Sequence, residues 1–477
     1  MVRGSSSLQE RFLAVADAAD ARDLVDMLIH LTRLGSKERL RPEWKSIWHN
    51  RIDEIRSLKS IPNDIIRRIE EKIESIDVSD PEVYQIRLKP EDNVCIFLGA
   101  GASAPEPSAI PVVSQLLPEL WRRARKIGRQ DLDRLAAWCD SNGVVNIEDL
   151  LTAAYIANYS AKNASVTGLL DYFLFTAGRP DRESSVTRFR GRSSPPQVDS
   201  ASIALLQDTL QTLFGLLTGT MIPARPNAAH DAIVEFVRSH KYASIVTTNY
   251  DGCIDEALIR AGVGINTYVD EDKPRADDGI DLIKIHGSIN WSYCDSCQEV
   301  REFSLVDLKE AYEKDTLSYA VIGICRTCGG QRRPLLVPPL AFKFIMFPNL
   351  IQLWNTAREL IERANYLLIV GYSFGEADTY ISKIISRSLI TNARQKLIIC
   401  DPNGNLAASQ RGRYAAQIDK FDPKRVLQAV GSADVVLPKI LRSWLSTEAP
   451  GPQEPRTTVN GKRKDGAKLA KAVATDK

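Results

Sequence analysis

The sequence predicts an α/β protein built on a doubly wound, mostly parallel (Rossmann-like) sheet. Three observations carry that expectation. Short apolar runs of strand length each stop at Gly, Asn, Asp, His or Ser. Segments with helical apolar spacing separate them, and the first run enters a glycine bend directly. Strands alternating with helices imply parallel crossovers, and such sheets bind ligands beyond the carboxyl ends of their strands.

The first run is Val94-Cys95-Ile96-Phe97-Leu98, followed by Gly99-Ala100-Gly101-Ala102-Ser103. Five apolar, mostly β-favouring residues read as a buried parallel strand. Glycines allow a tight bend and close backbone approach to a ligand, so N–H groups there can face a pyrophosphate. Gly99-x-Gly101-x-x-Ala104 also satisfies the loose dinucleotide fingerprint. After Ile110-Pro111 a helix is expected from about Ser114, with Pro118 in its first turn, where a missing N–H costs little. Segments 146–176 and 200–220 read as further helices, the first opening on Asn146-Ile147-Glu148-Asp149 with acids at the positive end of the dipole. A helix is expected at 231–238. Strands follow at 243–248, 281–285, 366–370 and 396–400. They end in Asn249-Tyr250-Asp251, His286-Gly287-Ser288, Gly371-Tyr372-Ser373 and Asp401-Pro402-Asn403. Five polar strand ends imply one crevice rather than five unrelated loops.

Residues 1–88 read as a helical N-terminal region, with apolar periodicity at 8–34, 44–58 and 65–76. Such a region serves either as an oligomerisation or partner-binding module or as a cap packed on the main domain; His30 and His49 fall within it as structural residues. The catalytic domain is expected over 89–445, with a helical insertion at about 125–230. Within the insertion, residues 178–200 are rich in Arg, Ser and Pro and read as a mobile, solvated loop. Residues 446–477 turn Pro-rich and then basic, which predicts a disordered tail. Nucleic-acid binding by that tail is the less favoured reading, a solubilising tail the more favoured one. The net charge of +2 demands neither nucleic acid nor membrane as partner, and no apolar run reaches transmembrane length.

Eight cysteines in 477 residues do not make a disulfide scaffold. Four of them form Cys294-x-x-Cys297 and Cys325-x-x-Cys328, separated by 27 residues. Each pair makes a two-thiolate zinc knuckle, and four sulfurs leave no position for water, so the module at about 291–334 is expected to hold a structural Zn2+. The setting is read as cytosolic. Cys95, Cys139, Cys253 and Cys400 sit in apolar contexts and are expected in the core. Hydride chemistry is disfavoured. A dehydrogenase needs an acid closing the second strand, and the nearest, Glu119, lies in an expected helix beside Pro118.

Taken in order, these motifs resemble the sirtuin family. The resemblance rests on Gly99–Ser103 with Ile110-Pro111, on Thr248-Asn249-Tyr250-Asp251, and on His286-Gly287 ahead of a four-cysteine module. It continues through Cys325-x-x-Cys328-Gly329-Gly330-x-x-Arg333-Pro334, Gly371-Tyr372-Ser373 and Asn403, and so spans roughly residues 90–410. The chain departs from protein-deacylating sirtuins at two places. Val112-Val113-Ser114 stands where they carry Asp-Phe-Arg, and residues 337–343 replace the segment that helps hold an acyl-lysine peptide. Thr247-Thr248-Asn249-Tyr250-Asp251, the run 285–291 and Gly371-Tyr372-Ser373-Phe374 look more like the bacterial NAD-consuming branch, whose members commonly act as antiphage effectors.

The resemblance implies an NAD glycohydrolase releasing nicotinamide and ADP-ribose, with NAD+ as substrate. It implies that Gly99, Ala100, Gly101, Ala102 and Ser103 hold the pyrophosphate and that Asn249 orients the ribose and attacking water. His286 becomes the general base and Asp251 a partner of the nicotinamide or ribose, while Gly371, Ser373 and Asn403 contact the adenosine side. Asn249 and Asp251 as helix caps and His286 as a structural histidine are the competing readings. A deacylase or ADP-ribosyltransferase, or a non-catalytic sensor of NAD or ADP-ribose, is the alternative function. A homo-oligomer or a partner defence protein is the expected company.

Overall fold

The computed structural model describes residues 79–446 except 129, 142–146, 148–149, 151–211, 213–214, 271–274, 295, 315–322, 331, 338–349 and 376–377. Expectations for residues 1–78, most of the helical insertion including 178–200, and the tail from 447 lie outside the described residues. The described chain runs β1 (Val94–Leu98), α1 (Val113–Ile127), α2 (Gln130–Ser141), α3 (Ala228–Ser239), β2 (Ala243–Thr247), α4 (Cys253–Arg260) and β3 (Ile265–Asn266). It continues through β4 (Ile280–Lys284), β5 (Gly287–Cys294), β6 (Val300–Glu302), α5 (Leu305–Glu313), β7 (Arg332–Leu336), α6 (Leu350–Arg363) and β8 (Tyr366–Val370). Last come α7 (Thr379–Thr391), β9 (Lys396–Asp401), α8 (Leu406–Gln417), β10 (Val426–Val430) and α9 (Ala433–Leu445).

Seven strands form one sheet in the order β10-β9-β8-β1-β2-β4-β3, and each of its pairings is parallel. Alternate strand residues point to opposite faces, so each strand feeds two cores. Cys95, Phe97, Val246, Ile283 and Leu367 pack with α6, α7 and α8 on one face. Ile96, Leu98, Ile245, Leu282 and Leu368 pack with α3, α4 and α9 on the other. The result is the doubly wound, Rossmann-like α/β fold. Cys95 and Cys400 sit in this core; burial pushes the Cys95 thiol up to about 12 and the Cys400 thiol up as well.

From β1 the chain adds β2, β3 and β4 on one side, then crosses back to place β8, β9 and β10 on the other. The switch point therefore lies between β1 and β8, the place where sheets of this kind bind ligands beyond their strand ends. A second, antiparallel sheet of order β6-β5-β7 carries the four cysteines. It packs with α1 and α5 through Ile289, Leu336, Leu305 and Leu120.

Two local expectations need correction. Helix α1 begins at Val113, so Pro118 is its sixth residue and falls in the second turn. There its ring replaces an amide that would bond back to Ser114, a position tolerated because Leu116, Leu117, Leu120 and Trp121 bury the helix's apolar face. Helix α3 begins three residues earlier than expected because Asn227 caps it: its Oδ1 accepts from the Ala229 and His230 amides, and His230 Nδ1 accepts from the Asn227 amide.

Gly371 has φ +62, and a Cβ there would lie 2.4 Å from the Ala102 nitrogen. Gly371→Ala is expected to destabilise the protein by roughly 1–3 kcal/mol or more, as overpacking and a left-handed backbone act together. Urea denaturation of the two proteins checks this.

Candidate active site

At the switch point two strand-end turns interlock. The Gly99 amide donates to the Val370 carbonyl (2.9 Å) and the Gly101 amide to the Gly371 carbonyl (2.9 Å). A Cβ on Gly99 would lie 2.5 Å from the Gly371 oxygen. The glycines therefore allow backbone to touch backbone. The Ala102 and Ser103 amides donate to the Gly99 and Ala100 carbonyls within a single 3-10 turn, and the next helix starts only at Val113. The sequence reading aimed these N–H groups at a pyrophosphate. Four of them are instead engaged within the protein, two because the turn is stitched to β8 and its turn, two within the 3-10 turn itself. What this bend offers a ligand is shape and the Ser103 side chain.

Ser103 is buried and receives two donors. His230 Nδ1 accepts from the Asn227 amide (3.1 Å), so the ring proton sits on Nε2, which faces Ser103 Oγ at 3.3 Å. Asn249 Nδ2 reaches the same oxygen at 3.4 Å and donates to the Gly99 carbonyl at 3.0 Å. With both lone pairs addressed, the Ser103 hydroxyl hydrogen is left to donate elsewhere. Burial pushes the His230 pKa down against the pull of Asp251, Asp231 and Asp255, keeping the ring neutral. Sequence reasoning missed Asn227 and His230. Asn227 directly ahead of an apolar-periodic segment was the available signal.

Asn249 thus joins the end of β2 to the glycine bend. Asp251 is buried, and its Oδ1 accepts from the Cys253 amide (2.9 Å), so one oxygen is spent on the first turn of α4. Lys284, the last residue of β4, is fully buried; its Nζ donates to the Asp251 carbonyl (2.5 Å) and to Asp255 Oδ2 (2.8 Å). This ion pair ties the Asn249–Asp251 turn to the strand that delivers His286 two residues later. A lone lysine inside an apolar strand was its sequence signal.

His286 lies at the carboxyl end of β4, next to β2, and its carbonyl accepts from the Val337 amide (2.8 Å). Its ring sits 6.3 Å from the Tyr250 ring and 5.9 Å from the Trp354 ring. Its Nε2 is 3.3 Å from Asp378 Oδ1, with 4% and 9% of the two side chains exposed. Asp378 and Trp354 were not foreseen; Asp378 reads in sequence as an ordinary helix cap. Ser373 and Asn403 are exposed at the ends of β8 and β9, and Asn403 Oδ1 accepts from the Asn405 amide. Nearby, burial pushes the Asp401 carboxyl up to about 6.

The four cysteine sulfurs lie within 4.8 Å of one another. Cys294 and Cys328 are 3.4 Å apart, Cys297 and Cys325 3.7 Å. A tetrahedral zinc with bonds of about 2.3 Å needs sulfurs about 3.8 Å apart, whereas a disulfide needs about 2.05 Å. The residues fit a closed structural zinc site. Burial raises the Cys294 thiol, but the Cys297 and Ser296 amides outweigh it and hold the group at about 6, favouring the thiolate. Arg332 Nη1 lies 3.5 Å from Cys325 Sγ and its Nη2 bonds the Ser292 carbonyl, linking the knuckles to β5. His230, Asp251 and Cys253 form a second cluster, but it does not suit a metal. His230 Nε2 carries a proton, and burial raises the Cys253 thiol, so neither offers a lone pair as a ligand needs.

Residues 243–419 match the family described as SIR2-like domain. No curated protein matches the sequence. Among solved structures, a Sir2 homologue in complex with NAD is 16% identical, covering 77% of this chain and 95% of its own, with a TM-score of 0.39. A structure on the mechanism and regulation of Sir2 enzymes is 17% identical, covering 74% and 92%, with a TM-score of 0.34.

Two outcomes are expected. Lys284→Met leaves Asp255 charged and buried, so it costs about 3–5 kcal/mol in urea denaturation, while Lys284→Met with Asp255→Leu recovers most of that loss. The purified chain carries one zinc per protomer by elemental analysis, and Cys297→Ser lowers zinc content and thermal stability together.

Proposed function

From a chain whose residues 243–419 match a SIR2-like domain, we infer a member of the sirtuin superfamily and an NAD-consuming enzyme, specifically an NAD glycohydrolase. The observation that carries this reading is the Asn249 side chain. It bonds the glycine bend at Gly99 and Ser103 while the next strand end presents His286. The nicotinamide of NAD+ is already a cationic leaving group, so protonating it is unnecessary. The protein has to position the ribose, stabilise an oxocarbenium-like transition state and deliver water. In this reading the β1–β8 crevice takes the pyrophosphate, with Ser103 donating its hydroxyl. Asn249, neutral and able both to donate and to accept, orients the ribose and the water. His286 accepts the proton as the water oxygen bonds to the ribose carbon. The bond to nicotinamide breaks with its electron pair on the ring nitrogen, giving nicotinamide, ADP-ribose and a proton. The zinc module holds β5 and β7 and takes no part in the step.

The biological setting that fits is a bacterial antiphage effector that depletes cytosolic NAD when triggered, as a homo-oligomer or with a partner defence protein. The resemblance to the NAD-consuming branch supports it.

Nicotinamide and ADP-ribose release is measured with the full chain alone and in lysate from phage-infected cells. Release is expected in the triggered sample, and Asn249→Ala or His286→Ala should each lower it by about 100-fold or more. Turnover of an acyl-lysine peptide instead identifies a deacylase. ADP-ribose binding without release in either sample identifies a sensor and overturns the proposal.

A further inference from the structure

We propose that Asp378 is a positioning residue that holds His286 in one tautomer and orientation for proton transfer. The inference rests on His286 being the base of the reaction above. Asp378 immediately precedes α7 and is of the residue type that most readily caps a helix. Its side chain makes no capping bond there. The carboxylate instead lies 3.3 Å from His286 Nε2, at ion-pair distance though outside hydrogen-bond geometry, with both side chains more than nine-tenths buried. A buried carboxylate placed beside an imidazole, in preference to the amides of its own helix, is an arrangement that serves the imidazole.

The chemistry follows from what each atom can do. An ionised carboxylate only accepts, so its placement favours the tautomer with the ring proton on Nε2, on the Asp378 side, and the lone pair on Nδ1. Nδ1 is then the atom that takes the proton from water as the glycosidic bond breaks. The imidazolium so formed is stabilised by the adjacent negative charge, while Asp378 itself keeps no proton. The ring also neighbours Tyr250 and Trp354, and Trp354 is in edge contact with Tyr380 of the same helix that Asp378 precedes. Position and tautomer of His286 therefore depend on how the start of α7 is seated.

The test separates this role from a structural one. The full chain and its Asp378→Ala and Asp378→Asn variants are compared in nicotinamide release, in calorimetric binding of ADP-ribose and in thermal stability. Asp378→Ala is expected to lower kcat by about 100-fold while KM and the ADP-ribose Kd stay within about threefold. Asp378→Asn keeps an acceptor oxygen and recovers part of the loss. Imidazole 15N NMR, with the His286 signals among the five histidines assigned through His286→Gln, should show the neutral Nε2–H tautomer in the unmodified protein and its loss in Asp378→Ala. An unchanged kcat, an Nδ1–H tautomer in the unmodified protein, or a parallel fall of kcat, ADP-ribose binding and thermal stability each overturns the proposal. Should the unmodified chain release no nicotinamide, the glycohydrolase reading fails, and the NMR tautomer still decides the role of Asp378.

Discussion

Everything at the active end of this sheet depends on how closely the turn after β1 meets the turn after β8. Backbone bonds from Gly99 and Gly101 to Val370 and Gly371 close the floor of the crevice at the switch point. A side chain on any of Gly99, Gly101 or Gly371 would overlap main-chain atoms of the facing turn. Because that floor is backbone, its position is set by the sheet register, in which Leu98 pairs with Val370 and with Thr247. Side chains from neighbouring strand ends can then be placed against a rigid surface, as Asn249 is.

A second constraint is electrostatic. Lys284 is completely buried, and taking an ammonium out of water is tolerable only where its donors are met. The Asp255 carboxylate and the Asp251 carbonyl meet them. The same bonds fix the geometry between the β2 turn and the end of β4, and so between Asn249 and His286. A buried ion pair of this kind adds little net stability, while loss of one partner is costly, so the arrangement is better read as a device for register than as glue.

Much of the sheet was legible because buried parallel strands leave plain signals. The runs at 94–98 and 366–370 have the same bounds in the structure, β2 and β9 differ from expectation by a residue at one end, and β4 is shifted by one residue. The antiparallel sheet around the cysteines and the strand β10 were not foreseen: β6 is three residues long, and Val426–Val430 carries a polar Gln428 whose Oε1 accepts from the Ala407 amide. Pro118 misled because even a start at Ser114 makes it the fifth helical residue, already past the 3.6-residue first turn. The glycine bend was read as a close approach to a ligand; in the structure Gly99 and Gly101 approach the β8 turn, and their amides are engaged there.

The chain's own order of residues determined the parallel architecture, the polar strand ends and the two cysteine knuckles, since each is written in local periodicity or spacing. Only tertiary structure decided which of those ends share a site and what supports them. Asn227, His230, Lys284 and Asp378 act on Ala102, Ser103, Asp251 and His286, which lie 125, 127, 33 and 92 positions away. Such partners carry no local signature: a cap, a buried lysine or a helix-start aspartate looks the same in sequence until folding shows which distant group it faces.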